Sequence, residues 1–216
     1  MTEIQASPDA SAAAGDRPSS VLLHSDGAIA EIALDGGPLN LVTAPLLRSL
    51  NGALRDVAAA QGIRCLIVHG GSGRAFCAGS DIREFAHLRE DASERKILFE
   101  DMVLRTLASM AMPTIAAIDG PALGGGFELA LAWGLVNRVV DGSALDGARA
   151  LATEIAARGP LSNRHAKKLV DAAQDLPLDA ALSLSTGAQQ AIFDSRDLHE
   201  GVAAFFAKRP PTFEGR

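Results

Sequence analysis

Two stretches decide how this chain is read: Arg74-Ala-Phe-Cys-Ala-Gly-Ser-Asp-Ile-Arg-Glu-Phe85 and Asp119-Gly-Pro-Ala-Leu-Gly-Gly-Gly-Phe-Glu-Leu-Ala-Leu131. Each follows a short apolar run and leads into a helical pattern. Each is therefore a strand-to-helix turn, a place where backbone N–H groups without intrahelical partners can receive an anion. In the first stretch Asp81 could equally do no more than cap the helix. In the second, Gly124, Gly125 and Gly126 would each cost about 1 kcal/mol against alanine in a helix interior, so they point to a close approach of backbone to a ligand or to a neighbouring helix. Glu128 stands in residues 127–133, a segment apolar on almost every face. A carboxylate buried there needs a partner or a raised pKa, which makes it a candidate general acid or base. A first-turn glutamate complementing the helix dipole is the competing explanation.

Working outward, residues 21–24 and 28–34 form two short apolar runs joined at Asp26-Gly27, a hairpin signal. Thr43 and Pro45 open a helix whose Leu46, Leu47, Leu50, Leu54 and Val57 share one face until Gly62. Residues 63–69 then read as a near-continuous apolar strand of the parallel, doubly covered kind, which makes strand, helix, strand a crossover unit. Helical patterns follow from Asp81 and over 92–110, the latter turning Ile97, Leu98, Met102, Leu104, Leu107 and Met110 toward a core. Pro113 ends it. Residues 114–118 read as another buried strand and 135–140 as a last one. After Ser143 everything is helical, over 144–158, 162–173, 178–193 and 198–208. A helical third without its own sheet must pack on the first layer or on another subunit.

Composition narrows the function. The chain has 216 residues, 48% hydrophobic and 21% charged, with a net charge of −6, which suits one globular domain with an appendage. Its longest basic runs are the pairs Lys167-Lys168 and Lys208-Arg209, read as solvated helix faces, so nucleic acid is not an expected partner. No apolar run approaches the about 18 residues of a membrane span, and no membrane association is expected. The first 20 residues lack the cationic start and apolar stretch of a secretion signal and read as a disordered tail. Two cysteines, Cys65 and Cys77, are too few for a disulfide scaffold or a metal cluster and fit a reducing cytoplasm. The five histidines have no ligand spacing, so no metal site is expected. Neither glycine cluster has the dinucleotide or P-loop spacing, and Ser80 is not in a Gly-x-Ser-x-Gly elbow.

The two opening stretches together resemble the enoyl-CoA hydratase/isomerase family, the crotonase superfamily, with support from Gly134-Leu-Val-Asn-Arg-Val-Val140 and from the stretch that starts at Ser195-Arg-Asp-Leu-His-Glu-Gly201. The resemblance extends from about Val21 to near the end. It implies an α/β fold with a crotonase-like ββα spiral core over residues 21–140 and a helical C-terminal region over 141–216 that serves trimerisation, giving a homotrimer or a dimer of trimers. It also implies an acyl-CoA thioester substrate, a place in fatty acid metabolism, and no metal or redox cofactor, CoA being part of the substrate. The family passes through a thioester enolate held by two backbone N–H groups. By position these belong to Ser80 and Gly125. Glu128 matches a catalytic glutamate of the hydratases, and Arg74, Ala78 and Asp81 are the expected neighbours of CoA.

The chain also departs from the family. Members normally continue, after the second stretch, through a strand, a loop with a second catalytic glutamate and a glycine-rich turn. Here Leu131-Ala132 runs directly into Trp133-Gly134. The expected activity is hydration of a 2-enoyl-CoA through an oxyanion-stabilised enolate. The alternatives are a one-base enoyl-CoA isomerase and a catalytically silent acyl-CoA-binding or assembly subunit.

Overall fold

The computed structural model describes residues 19–81, 83–84, 96–122, 137–173 and 175–216; most of the expected tail, part of the segment after Asp81, and residues 123–136 with Gly125 and Glu128 lie outside them. The described chain divides into two compact units, one formed by residues up to Met110 with Thr114–Ala152, the other by Ala111–Pro113 with Thr153–Arg216.

The first unit is built on a four-stranded sheet in the order β1-β2-β3-β4. Strands β1 (Ser20–Asp26) and β2 (Ile29–Asp35) form the hairpin expected at Asp26-Gly27, paired antiparallel with Leu23 opposite Ile32. Helix α1 (Ala44–Ala59) then crosses to β3 (Cys65–His69), which lies parallel to β2 with Val68 opposite Ile32. Thr43 starts α1 as its sequence implies, accepting a hydrogen bond from Leu46 N at 3.3 Å. The leucine stripe Leu46, Leu47, Leu50 and Leu54, with Val57, is buried, and each such side chain contributes roughly 1.5–3 kcal/mol by leaving water. α1 packs on β1 and β2 and on the second helix, α2 (Leu98–Ala108). Strand β3 is apolar and buried at its first four residues, as its continuous hydrophobic run requires. Burial pushes the Cys65 thiol up to about 11, so it behaves as an inert core side chain.

Three expectations are corrected. α2 turns Val103 inward, whereas Ile97, Leu98, Met102 and Leu104 are exposed, because α2 has α1 as its packing partner on one side. Strand β4 (Thr114–Ala117) pairs parallel to β3 but buries only Ala117; it has a strand neighbour on one side alone among the described residues, so its other side chains are less covered. Residues 137–140 carry no strand.

Helix α3 (Ala144–Ala156) begins in the first unit, where its Arg149 pairs with Glu31 at 2.7 Å, and ends in the second. The second unit holds α4 (Pro160–Ala173), α5 (Leu178–Phe193) and α6 (Arg196–Phe206), α5 packing against both others. Buried Asp197 ties down the chain end by accepting from the N–H groups of Glu214 and Gly215 at 2.7 and 3.0 Å. Leu178, Phe205 and Phe206 are exposed at 73, 79 and 79%. No helix among the described residues is long and apolar enough to cross a membrane.

Candidate functional site

The chemistry-bearing residues sit where two loops of the first unit run side by side, 36–43 between β2 and α1 and 70–81 after β3. Main-chain hydrogen bonds zip them together: Arg74 N to Pro38 O at 2.8 Å, Ala78 N to Leu39 O at 2.9 Å, Val42 N to Gly79 O at 2.9 Å and Asp81 N to Val42 O at 3.1 Å. The last two bonds flank Ser80. In a parallel bridge of this kind, the residue between the two bonded ones directs its own N–H and C=O to the opposite side. Among the described residues, no main-chain or side-chain oxygen accepts from Ser80 N–H.

Asn40 holds the base of this arrangement. It is fully buried with φ +46°, a left-handed conformation that asparagine tolerates better than most residues. Its Nδ2 donates to Gly70 O at 2.7 Å and Ala75 O at 2.9 Å, and its Oδ1 accepts from Gly36 N at 2.9 Å. One side chain thus fixes both loops. Lys96 performs a similar task at the other end, with Nζ donating to Val42 O at 2.9 Å and to the Glu84 carboxylate at 2.7 Å. Glu84 in turn accepts from Ala44 N at 3.0 Å and so caps α1.

A second bridge brings the other opening stretch alongside the first. Cys77 pairs in parallel with Ala122, and Gly120 packs against the carbonyl of Arg74 closely enough that a side chain would collide with it.

Of the expected site residues, Arg74 is exposed and lines a cleft of ≈ 340 Å³ with Leu34, Asp35, Gly37, Pro38, Ser72 and Gly73. Ala78 is half-buried on the same loop. Asp81 is buried and its carboxylate is engaged locally, receiving Arg83 N at 2.9 Å and the Arg83 guanidinium at 2.7 Å. This is the capping alternative raised by its sequence. The Arg83 guanidinium and N–H hold the Asp81 carboxyl down at about 2. Ser80 makes a contact its sequence does not foretell: its Oγ donates to the Glu100 carboxylate, 3.1 Å from Oε2 and 3.4 Å from Oε1. Glu100 occupies the first turn of α2.

Sequence reasoning missed Asn40, Glu84, Lys96 and Glu100. A signal existed for Asn40, which ends a Gly-Gly-Pro-Leu-Asn turn. The other three are charged residues in a polar helical segment and carry no local mark. Among the described residues no group of three metal-ligating side chains comes together.

Comparison with known proteins gives the family. The profile of the family described as Enoyl-CoA hydratase/isomerase matches residues 24–132 and, as a second piece, 130–216. YngF of Bacillus subtilis, named as an enoyl-CoA hydratase/isomerase, is 27% identical over 234 aligned positions covering 82% of this chain and 90% of that protein. Mouse mitochondrial methylglutaconyl-CoA hydratase is 26% identical over 238 positions covering 82% of this chain and 76% of the relative. The crystal structure of an enoyl-CoA hydratase from Bacillus anthracis superposes with a TM-score of 0.83 over 93% of this chain and all of that one, at 23% identity, and shares the fold. The alignment to YngF is longer than the 216 residues of this chain although 82% of the chain takes part. The relative therefore carries tens of residues without a counterpart here. The break in the family match at 130–132 places them after the second glycine stretch. Two zipped loops, the Cys77–Ala122 bridge and a family match over nearly the whole described chain lead to one conclusion: the chain belongs to the enoyl-CoA hydratase/isomerase family, the crotonase superfamily, and lacks an internal segment after the second of its two glycine-rich motifs.

Proposed function

We propose that the chain is an acyl-CoA enzyme that adds water to a 2-enoyl-CoA through a thioester enolate held by the N–H groups of Ser80 and Gly125. The observation that carries this reading is the Cys77–Ala122 bridge. The bridge brings the start of the second glycine stretch beside the loop whose Ser80 N–H has no acceptor among the described residues. Charge that develops on the thioester oxygen gains from donors set before the reaction begins, at a typical cost of 10²–10³-fold in rate when one is lost. Glu128, three residues beyond Gly125 in sequence, is assigned the proton exchange with water. Arg74 and the cleft beside it suit the anionic part of CoA, with Ala78 contributing backbone. Asp81 keeps the turn in shape through Arg83. No metal or redox group takes part in this scheme.

The missing segment favours a second reading, since the family's second glutamate belongs to it: a one-base isomerase that moves a proton along a 3-enoyl-CoA. A silent acyl-CoA-binding or assembly subunit is the limit of the same series. Exposed Leu178, Phe205 and Phe206 support assembly with further copies, and the proposed stoichiometry, a homotrimer or a dimer of trimers, comes from the family resemblance. Cytoplasmic location belongs to the proposal through cysteine usage alone.

The test is hydration of crotonyl-CoA by the full chain and by Glu128→Gln. A fall in kcat of about 10²-fold or more is expected for loss of a general acid or base, with substrate affinity little changed. Equal kcat in the variant sinks the Glu128 assignment; turnover of a 3-enoyl-CoA without hydration supports the isomerase, and binding without turnover the silent subunit.

A further inference from the structure

We infer that Glu100 is a second catalytic carboxylate of this chain, the group that takes and returns the proton on C2 of the acyl-CoA. The inference rests on the proposed oxyanion hole at Ser80. The carboxylate of Glu100 receives the Ser80 hydroxyl at 3.1 Å, so it stands within one side chain of the N–H that would hold the thioester oxygen. C2 is bonded directly to the thioester carbon, whereas C3 is one bond further away. A base fixed to the hole residue therefore reaches the C2 proton first, and a proton there is acidic only while the hole stabilises the enolate. Both residues lie in the same compact unit and on separate elements, the loop after β3 and the first turn of α2. The half-buried position of both leaves them open to a substrate while partly shielding the carboxylate from water.

The step balances. In enolisation the C2–H bond breaks, its proton passes to Glu100, and the electron pair forms the C1=C2 bond while the carbonyl pair moves onto the oxygen held by the hole. In hydration the order runs the other way: water gives its proton to Glu128 as its oxygen bonds to C3, and protonated Glu100 delivers a proton to C2. The two carboxyl groups then exchange one proton through solvent, and the net change is one water added. Glu100 thus supplies from α2 what the family's missing segment supplies elsewhere.

The experiment follows deuterium entering C2 of butyryl-CoA, a saturated thioester, in heavy water, by NMR or mass, with butyryl-CoA binding measured in parallel by calorimetry. The wild-type chain is expected to bind and exchange. Glu100→Gln is expected to bind within about threefold and to exchange about 10²–10⁴-fold more slowly, and Glu100→Asp to recover part of the rate. Ser80→Ala keeps the backbone N–H but removes the hydroxyl that holds the carboxylate in place, so exchange should slow while butyryl-CoA binding is kept. A structural role for Glu100 would lower binding and exchange together. Exchange in Glu100→Gln equal to wild type, or a wild-type chain that binds butyryl-CoA and never exchanges C2, overturns the inference while leaving the oxyanion hole standing. Absence of any saturable binding by wild type overturns the hole itself and Glu100 with it.

Discussion

The ammonium of Lys96 lies 2.7 Å from the carboxylate of Glu84, with the lysine side chain wholly buried and the glutamate 24% exposed. Lys96 also donates to Val42 O, the same oxygen that receives Asp81 N. The pair therefore sets the height of the strand that leaves Ser80 N–H turned outward.

Removing one partner of such a pair leaves the other charge without compensation. Lys96→Met is expected to cost about 2–4 kcal/mol in urea unfolding, the lower part of the range reflecting the partial exposure of Glu84. The double variant Lys96→Met/Glu84→Gln removes the orphaned charge and keeps an oxygen for Ala44 N, so it should regain part of the loss. A double variant no better than the single one would show that the ion pair itself is not the source of stability.

Asn40 offers a sharper case because its two side-chain atoms have opposite duties. Asn40→Ala strands the Ala75 carbonyl and the Gly36 N–H, whereas Gly70 O keeps the hydrogen bond from Gly73 N at 3.1 Å, and is expected to cost about 2–4 kcal/mol. Asn40→Asp keeps the acceptor for Gly36 N but sets a carboxylate against Gly70 O and Ala75 O, so it should be the more damaging change despite being isosteric. Thermal unfolding of both decides, and an Asp variant more stable than the Ala variant would contradict the hydrogen-bond assignment.

The hairpin, the α1 crossover and the parallel pair β2–β3 follow from period and turn chemistry that any reader of residues 21–69 can apply. α4, α5 and α6 are legible in the same way, although α4 and α6 begin two residues before the expected 162 and 198, at Pro160 and behind the Ser195 cap, which accepts from Leu198 N at 3.2 Å. What could not be read is the side on which α2 is covered. Its apolar residues fall on more of the helix than α1 can reach, so Val103 is buried while Leu98 and Leu104 are not. The site is divided in the same way. The glycine-rich turns are local signals, and it is the family resemblance of their motifs that points to Ser80 and Gly125. The pairing of Glu100 with Ser80 and of Lys96 with Glu84 and Val42 joins residues that only tertiary structure brings together, and charged residues in a helix carry no periodic signal that names their partner.

Gly120 tests whether the two motifs are locked to one another. Its φ of +73° disfavours any side chain, and a Cβ there would strike Arg74 O. Strain of about 1–2 kcal/mol from the left-handed backbone adds to that collision, so Gly120→Ala should destabilise the chain by at least about 2 kcal/mol. Because the collision lies between the motifs, acyl-CoA affinity should fall as well, measured by calorimetry at a temperature where the variant is folded. Unchanged affinity in a folded variant would mean that the spacing of the two motifs does not matter to binding.

Asp81 supplies the pH-dependent test. Its carboxyl is held at about 2 against an ordinary value of 3.8, first by the side-chain hydrogen bonds of Arg83 and next by the Arg83 N–H. A carboxyl that is more acidic folded than unfolded stabilises the fold above the unfolded value and loses that contribution as pH falls toward the folded one. The wild-type chain should therefore lose stability between about pH 4 and pH 2 partly through this group. Arg83→Ala removes the leading cause but leaves the backbone donor, so the Asp81 titration should move up toward 3.8 without reaching it. Carboxyl-carbon NMR of the two proteins reads this directly. An Asp81 signal that titrates alike in both would show that the 2.7 Å contact with Arg83 contributes nothing in solution, and the turn that carries Ser80 would then owe its shape to main-chain hydrogen bonds alone.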